Sequence, residues 1–220
     1  MLNLFKKKPK NLPKFWQDYE AKFKEKLPEK IEAICFIAFD TETTGFDLKK
    51  DRILCIGAVT IKNNTIDVSR GFEEYIAQDT FNPETVKIHG IIQHEKLETL
   101  TEEEAVKAFL KYIGNSVLVA HHAGFDIGMM NAALHRMGLP KLKNKVLDTV
   151  NLYRGTLIIS NLINRDKTYS LDEIAETYSI EIKDRHTAAG DAFITAIAFL
   201  KILGKLNAGN KLKLKKLFRY

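Results

Sequence analysis

The stretch IEAICFIAFD, residues 31–40, is followed directly by TETTG, residues 41–45. Its near-continuous apolar character predicts a central strand that is buried on both faces of a sheet. The strand ends at Asp40, and the period of two in a strand points the carboxylates of Asp40 and Glu42 to the same side. Two neighbouring carboxylates repel each other unless a cation lies between them. The pair therefore indicates a cation-binding site at this strand end.

The sequence on the C-terminal side of this stretch predicts an α/β fold with a mixed sheet. RILCIGAVTI at 52–61 and TIDVSRGFEEYI at 65–76 are strand-like and are separated by Asn63-Asn64, a hairpin turn signal. SVLVAHH at 116–122 and KVLDT at 145–149 are predicted as the fourth and fifth strands. With helices between them, these segments predict a five-stranded mixed sheet flanked by α-helices.

Helix signals are strongest in the second half of the chain. Thr101 and Glu104 form a predicted capping box for a helix that ends at Gly114. Helical patterns also follow at 124–140, from residue 150, within 168–180 and at 186–206. The last of these is the longest, and it has an apolar face suited to packing on the sheet.

Charge is distributed unevenly along the 220 residues, whose formal net charge is +6. Residues 1–30 carry a net charge of +5, residues 201–220 carry +7, and residues 31–200 carry −6. Basic ends suit a polyanion such as nucleic acid, or an anionic membrane surface, whereas the acids of the central part require partners of their own. We therefore expect a basic N-terminal segment at 1–30, a catalytic domain at 31–204 and a basic C-terminal tail at 205–220.

Both basic ends contain apolar residues. Near the N-terminus, apolar residues are spaced three to four apart, as in an amphipathic helix: Phe15 or Trp16, Tyr19, Phe23 and Leu27. We expect this helix to pack on its own domain. A partner protein or a membrane surface is the alternative for this helix. For the tail, a solvated basic end is favoured, and the alternatives are added phosphate affinity or docking on a replication partner through Leu217 and Phe218.

Several features predict a cytoplasmic protein. The longest apolar runs are shorter than the roughly 20 residues that span a bilayer, so no stable membrane association is expected. The N-terminus lacks the apolar region of a secretory signal. The two cysteines, Cys35 and Cys55, lie apart in apolar stretches and are expected to be free thiols.

Two further acids and a histidine are candidates for metal ligands and for a general base. Asp126 follows a short strand in AHHAGFD, where capping of the helix is the alternative role. Asp191 begins the last helix among small and apolar residues, and His186 lies five residues earlier, where a surface histidine is the alternative. If these acids converge with Asp40 and Glu42, four carboxylates form an all-oxygen site for two Mg²⁺ or Mn²⁺ ions. A nearby histidine is then the expected general base.

Three segments of the sequence together resemble the motifs of a known family. FDTETTG at 39–45, HHAGFD at 121–126 and HTAAGD at 186–191 are similar to the three motifs of DEDDh 3′-to-5′ exonucleases of the DNA polymerase III epsilon (DnaQ-like) proofreading type. The resemblance spans about residues 33–200 and includes KIHGI at 87–91, which is similar to a loop before the second motif. It implies a ribonuclease-H-like fold, and His186, five residues before Asp191, places the chain in the histidine subclass.

The resemblance also implies roles. Asp40, Glu42, Asp126 and Asp191 would be the metal ligands, with His186 as the general base. Thr43, Thr44 and Gly45 would lie against the terminal nucleotide, and His122 occupies a position where the family usually has Asn.

The function implied is metal-dependent hydrolysis of phosphodiester bonds from a 3′ end, which releases nucleoside 5′-monophosphates in proofreading or repair. The expected substrate is a single-stranded or frayed 3′ end of DNA, with RNA as the alternative. A DNA polymerase or a sliding clamp is the expected kind of protein partner. The alternative from another class is a non-catalytic nucleic-acid-binding or polymerase-associated module in which the site only holds ions.

Overall fold

The computed structural model describes residues 12–78, 98–157, 167–209 and 212–220. The KIHGI stretch at 87–91 lies outside these residues. The strands of the described part are β1 (Phe36–Thr43), β2 (Ile53–Lys62), β3 (Thr65–Ile76), β4 (Thr99–Leu100), β5 (Val117–Ala120) and β6 (Val146–Asp148). The α-helices are α1 (Lys14–Ala21), α2 (Glu102–Ile113), α3 (Gly124–Arg136), α4 (Thr149–Arg154), α5 (Leu171–Thr177), α6 (Ala188–Leu206) and α7 (Leu214–Leu217). Short 3₁₀ turns occupy Lys22–Lys24 and Ile31–Ala33.

The strands form one mixed sheet in the order β4-β3-β2-β1-β5-β6. β1 pairs antiparallel with β2 and parallel with β5, so the parallel half β1-β5-β6 continues an antiparallel meander. Asn63 and Asn64 both have positive φ, 53° and 57°, as a type I′ hairpin turn requires. The mixed α/β architecture predicted from the sequence is confirmed, and the predicted hairpin is present.

The predicted number of strands was too low by one. The extra strand, β4, contains only Thr99 and Leu100, which pair in parallel with Tyr75 and Ile76 at the edge of the sheet. Two residues are too few to show a period of two, so this strand had no sequence signal.

The two faces of β1 belong to different halves of the core. Phe36 and Ala38 lie in one apolar cluster with residues of α6, including Phe199. Ile37 and Phe39 lie in the other cluster with residues of α2 and α3, including Phe109. The ring centroids of Phe36 and Phe199 are 4.9 Å apart, and those of Phe39 and Phe109 are 5.5 Å apart. The sheet is therefore covered on both sides, with α6 on one face and α2 and α3 on the other.

The predicted helix signals are confirmed where the structure describes them. Thr101 accepts a hydrogen bond from the Glu104 backbone, the Glu104 carboxylate accepts one from the Thr101 backbone, and the helix ends at Gly114 with φ of 49°. Positive φ is accessible to glycine without steric cost, which explains this stop.

The amphipathic helix near the N-terminus packs on its own domain, as expected, but it ends at Ala21, so that Phe23 lies in the following 3₁₀ turn and Leu27 beyond it. In α1, Trp16 and Tyr19 are 0% and 2% exposed and belong to the cluster that contains α2 and α3. The Tyr19 hydroxyl donates to Asn144 Oδ1 at 2.6 Å and accepts from the Lys143 backbone at 2.8 Å. The apolar face on which the membrane and partner alternatives depended is therefore buried inside the chain.

The C-terminal tail also folds back onto the domain. Leu217, in α7, is 1% exposed and belongs to the α6 half of the core, and Phe218 packs against the same cluster. The prediction of a solvated end was therefore wrong for these apolar residues, and so was the alternative that Leu217 binds a partner, because both expectations required an exposed side chain. Among the described residues, no helix has the length and apolarity that a membrane span requires.

Candidate active site

Three carboxylates meet at the end of β1. Asp40 and Glu42 extend from the last residues of the strand, and Asp191 lies in the first turn of α6. One carboxylate oxygen from each of these residues lies within 4.8 Å of the others. The structure thus brings together residues that are 151 positions apart in sequence, as the resemblance implied.

Asp126, the fourth predicted acid, approaches from the other face of the sheet. Its Oδ1 accepts hydrogen bonds from the Thr41 backbone at 3.0 Å and from the Thr41 hydroxyl at 2.7 Å. Thr41 alternates with Asp40 and Glu42 along β1 and points toward α3, whereas the two acids point toward α6. Asp126 is 3% exposed, and it is close enough for its charge to act on both Asp40 and Glu42.

Burial raises the pKa values of Asp40, Glu42 and Asp126, and repulsion between carboxylates adds to the shift at Asp40 and Glu42. Burial first, and then the charge of Asp126, raise the pKa of Asp40 well above its usual value. Burial, with the charges of Asp191 and Asp126, raises the pKa of Glu42 to about 7. Burial likewise raises the pKa of Asp126 to about 7, although the bonds from Thr41 oppose that shift. The cluster therefore holds more negative charge than its own surroundings stabilise.

Arg185 supplies one positive charge to the cluster. Its Nη1 donates to Asp191 Oδ2, while Nε and Nη2 donate to Asp172 Oδ1 and Oδ2 at 2.7 and 3.3 Å. The guanidinium thus links the first turn of α6 to the first turn of α5. Its charge lowers the pKa values of both Asp40 and Glu42. Sequence reasoning overlooked this residue, although its position next to His186 was a usable signal.

His186 lies on the loop that leads into α6. Its backbone N–H is 3.4 Å from Asp191 Oδ1, and its side chain is exposed to solvent. The residue has a φ of 64°, in the left-handed region that a non-glycine residue adopts only when its surroundings enforce it. The loop is closed by Thr187, whose hydroxyl donates to the Asp184 carbonyl at 2.7 Å and accepts from the Gly190 backbone at 3.1 Å.

The predicted nucleotide-contacting residues form a tight loop after β1. The Thr43 hydroxyl donates to the Gly45 carbonyl at 2.8 Å, and the Thr44 hydroxyl donates to Asp51 Oδ1 at 2.9 Å. A Cβ on Gly45 would lie 2.5 Å from the Asp51 carboxylate, so a side chain at this position would displace that carboxylate from its contacts. The loop projects Phe46, which is 76% exposed and has its ring centroid 5.7 Å from that of Phe125. Sequence reasoning did not single out this exposed aromatic residue.

The second-motif loop is held by a residue that was not predicted to matter. Asp148, at the end of β6, accepts hydrogen bonds from the backbone of His122 at 3.3 Å and of Ala123 at 3.1 Å. His122 has a φ of 56°. Asn and His are both enriched among non-glycine residues in this region, so His can replace the family's usual Asn without losing the backbone conformation.

Gly57 permits the close approach of α6 to the sheet. It pairs with Asp40 across β1 and β2, and a Cβ at this position would lie 2.1 Å from the backbone carbon of Ala188. Because backbone atoms cannot swing aside, any side chain here would push the start of α6 away from β1. The strand pattern of residues 52–61 gives no sign of this contact, because the helix that Gly57 touches begins 131 residues later in the sequence.

Gly57→Ala is expected to separate Asp191 from Asp40. The clash should cost about 1–3 kcal/mol in the free energy of unfolding and should weaken divalent-ion binding as the carboxylates move apart. Chemical denaturation and calorimetric titration with Mn²⁺ measure the two effects. Gly71→Ala is the matched control, because a Cβ there meets its nearest atom at 3.5 Å, an ordinary contact. Unchanged ion binding in Gly57→Ala would show that the close approach does not position the carboxylates.

Comparisons with known proteins agree with this geometry. A stretch of 172 residues, 78% of the chain, is 36% identical to a DNA polymerase III PolC-type of Caldanaerobacter subterraneus subsp. tengcongensis, of which it spans only 12%. A DNA polymerase III subunit epsilon of Aquifex aeolicus is 33% identical over 172 residues, which cover 78% of this chain and 81% of that protein.

A solved structure shares the fold. Exonuclease X in complex with 5′ overhanging duplex DNA superimposes with a TM-score of 0.59 at 22% identity, covering 77% of this chain and 91% of that one. The protein-family model described as Exonuclease matches residues 37–199. This range contains nearly all of β1, the four carboxylates and the first two thirds of α6. With its fold, its motifs and three quarters of its length in agreement, the chain belongs to the exonuclease family of ribonuclease-H-like proteins related to DNA polymerase III epsilon.

Proposed function

We propose that this protein is a metal-dependent exonuclease that removes nucleotides from the 3′ end of DNA and releases nucleoside 5′-monophosphates. The observation that carries the proposal is the convergence of Asp40, Glu42 and Asp191 at the end of β1. The family is dependent on divalent metal, and this acidic cluster lies within the matched residues. The named relatives are polymerase and epsilon-subunit proteins, which supports DNA as the substrate and a DNA polymerase as the partner.

The donor set fits divalent ions of the hard class. Asp40, Glu42 and Asp191 offer only oxygen ligands, a set that favours Mg²⁺ or Mn²⁺ over softer ions. The raised pKa values of Asp40 and Glu42 indicate that the cluster lacks positive charge, which bound cations would supply. Asp126 completes the proposed set from the α3 side. When bound, two such ions promote attack by water and stabilise the developing negative charge on the leaving oxygen.

The chain's own residues supply the remaining chemistry. His186 accepts the proton of the attacking water, whose oxygen bonds to the phosphorus as the bond to the 3′ oxygen breaks. The nucleotide leaves as a 5′-monophosphate, and the leaving 3′ oxygen takes a proton from solvent to become the new 3′-hydroxyl of the shortened strand. The loop at Thr43, Thr44 and Gly45 shapes the wall beside the terminal nucleotide, and the exposed ring of Phe46 offers a stacking surface for a base.

A time course on matched substrates tests this function. Single-stranded and duplex DNA and RNA, each labelled at the 3′ or the 5′ end, are incubated with Mg²⁺, with Mn²⁺ or with a chelator. We expect metal-dependent release of labelled mononucleotide from the 3′ end of DNA, fastest on single strands. Binding without release of mononucleotides would favour the non-catalytic alternative. If RNA is digested faster than DNA, RNA replaces DNA as the proposed substrate.

The raised pKa values predict how the metal-free protein responds to pH. The folded form binds protons at Glu42 and Asp126 more tightly than the unfolded form does, so the contribution of these two groups to stability is greatest below about pH 4 and is lost as pH rises to about 7. Each group contributes up to about 1.4 kcal/mol per pH unit across this window. Denaturant titrations in chelator should show this decline, and Glu42→Gln should flatten it. A metal-free protein that becomes more stable between these pH values would contradict the expectation.

A further inference from the structure

The two basic ends of the chain meet in one groove. The groove has a volume of about 1320 Å³ and lies between residues 23–32 on one side and residue 207 with residues 212–218 on the other. Six lysines line it, two from the N-terminal side, two from the loop before β6 and two from the C-terminal tail: Lys26, Lys30, Lys143, Lys145, Lys213 and Lys215. Segments that are nearly 190 positions apart in sequence therefore form one basic surface, which we call the lysine groove.

The lysine groove lies at the opposite edge of the sheet from the carboxylates. Its walls include Glu32 just before β1, Asn115 just before β5 and Val146 at the start of β6. These three strands are parallel, so their amino ends share one edge while Asp40 lies at the other. The four residue steps from Phe36 to Asp40 alone correspond to about 13 Å. The groove is thus separate from the proposed active site.

The lysines differ in how they are held. Lys143 contacts Glu20 Oε1 at 3.0 Å and lies 5.6 Å from the ring centroid of Phe23, and Lys145 lies 5.2 Å from that of Phe218. Within the described part of the chain, no carboxylate lies at ion-pair distance from the side-chain nitrogens of the other four, which are exposed. These four lysines can therefore bind an external anion without first breaking an internal ion pair.

Charge and composition favour the backbone of a nucleic acid as the occupant. The groove contains three glutamates, Glu25, Glu29 and Glu32, but six lysines exceed them and its net charge is positive. Lysine is depleted at protein–protein interfaces, whereas unspecific phosphate binding depends on flexible point charges of this kind.

Size and context point to the same occupant. The volume exceeds the roughly 300–1,000 Å³ of small-molecule pockets, so the groove suits a chain rather than a compact ligand. Residues 1–11 carry four lysines and no acid, so their charge does not complement the groove.

We propose that the lysine groove is a second nucleic-acid-binding surface, which holds the backbone of a long strand whose 3′ end lies at the carboxylates. The substrate class is taken from the proposed function. Short strands would reach only the active site, whereas longer strands would engage both surfaces. Binding should therefore depend on strand length and, for long strands, more strongly on salt.

Two double variants test this proposal in the full-length chain. Lys26→Gln with Lys30→Gln removes the N-terminal pair, and Lys213→Gln with Lys215→Gln removes the tail pair. Lys141→Gln with Lys201→Gln is the matched control, since both lysines are exposed and lie outside the groove. Binding of labelled oligo-dT of about 6 and about 30 nucleotides is measured by fluorescence anisotropy in chelator, at several salt concentrations, after melting curves confirm folding.

Each groove double should weaken binding of the long strand roughly tenfold at about 0.1 M salt and reduce the salt slope by about 1.4. The short strand and the control double should show wild-type affinities. Long-strand affinity and salt slope equal to the control in both groove doubles would overturn the proposal. Labelled poly-glutamate is measured in the same way. If the groove doubles lose affinity for poly-glutamate but keep wild-type affinity for the long strand, the occupant is an acidic protein segment and the proposal is overturned. Because binding is measured without turnover, an absence of nuclease activity would refute the proposed function and leave this result standing.

Discussion

Asp40→Asn combined with Glu42→Gln should abolish the release of mononucleotides from a labelled DNA strand. The two amides preserve the shape of the side chains but remove two negative charges from the three carboxylates that meet within 4.8 Å. Divalent ions stabilise the charge of the transition state by several kcal/mol, so their loss lowers the rate by roughly 10³-fold or more. Quenched time courses with Mg²⁺ or Mn²⁺ measure this effect.

The same double variant should be more stable than the wild type when metal is absent. Burial and mutual repulsion raise the pKa values of both acids, so ionised carboxylates at pH 8 destabilise the folded form and neutral amides do not. Melting curves in chelator at pH 8 check this second effect. Glu176→Gln, on an exposed position of α5, is the control and should change neither quantity. A variant that retains metal-dependent activity would show that these carboxylates do not carry the reaction.

His186→Asn should lower turnover by roughly 10²- to 10⁴-fold while leaving ion binding nearly intact, because a general base is lost and the carboxylates remain. Asparagine is chosen because His186 has a φ of 64°, a conformation that Asn tolerates better than Ala. Single-turnover rates measure the chemical step, and calorimetric titration with Mn²⁺ measures binding.

His122→Asn is the matched control for this experiment. His122 has a similar φ of 56° and is also exposed, but we do not assign it a catalytic role. Its turnover should stay within a few-fold of the wild type. If His186→Asn instead loses ion binding, His186 is a ligand rather than a base, and if its single-turnover rate is unchanged, the proton is accepted elsewhere.

Local features of the site could be predicted from the sequence, because they depend on short-range periodicity. The run that ends at Asp40 predicted β1, and the period of two placed Asp40 and Glu42 on one side. The convergence of Asp191 with this pair is a tertiary fact. It was expected from the resemblance of three motifs, since no spacing within a single element reports on a partner 151 residues away.

The features that sequence reasoning missed are long-range contacts. Gly57 leaves no room for a side chain because the backbone of Ala188 packs against it, and Asp148 accepts hydrogen bonds from the backbone before α3. Thr41 separates two acids in the sequence, and only the packing of α3 on the opposite face reveals that it binds Asp126. Each of these residues looks ordinary until the neighbouring layer of the fold is known.

Arg185 also has a consequence for how the protein matures. Its guanidinium already bridges Asp191 and Asp172, so one cation is covalently built into the acidic cluster before any ion is captured. Folding therefore need not wait for metal, in contrast to small domains that are unfolded without their ion. We therefore expect the protein to fold before it binds ions, so that the supply of divalent ions in the cell, rather than protein synthesis, would decide when a finished molecule becomes competent.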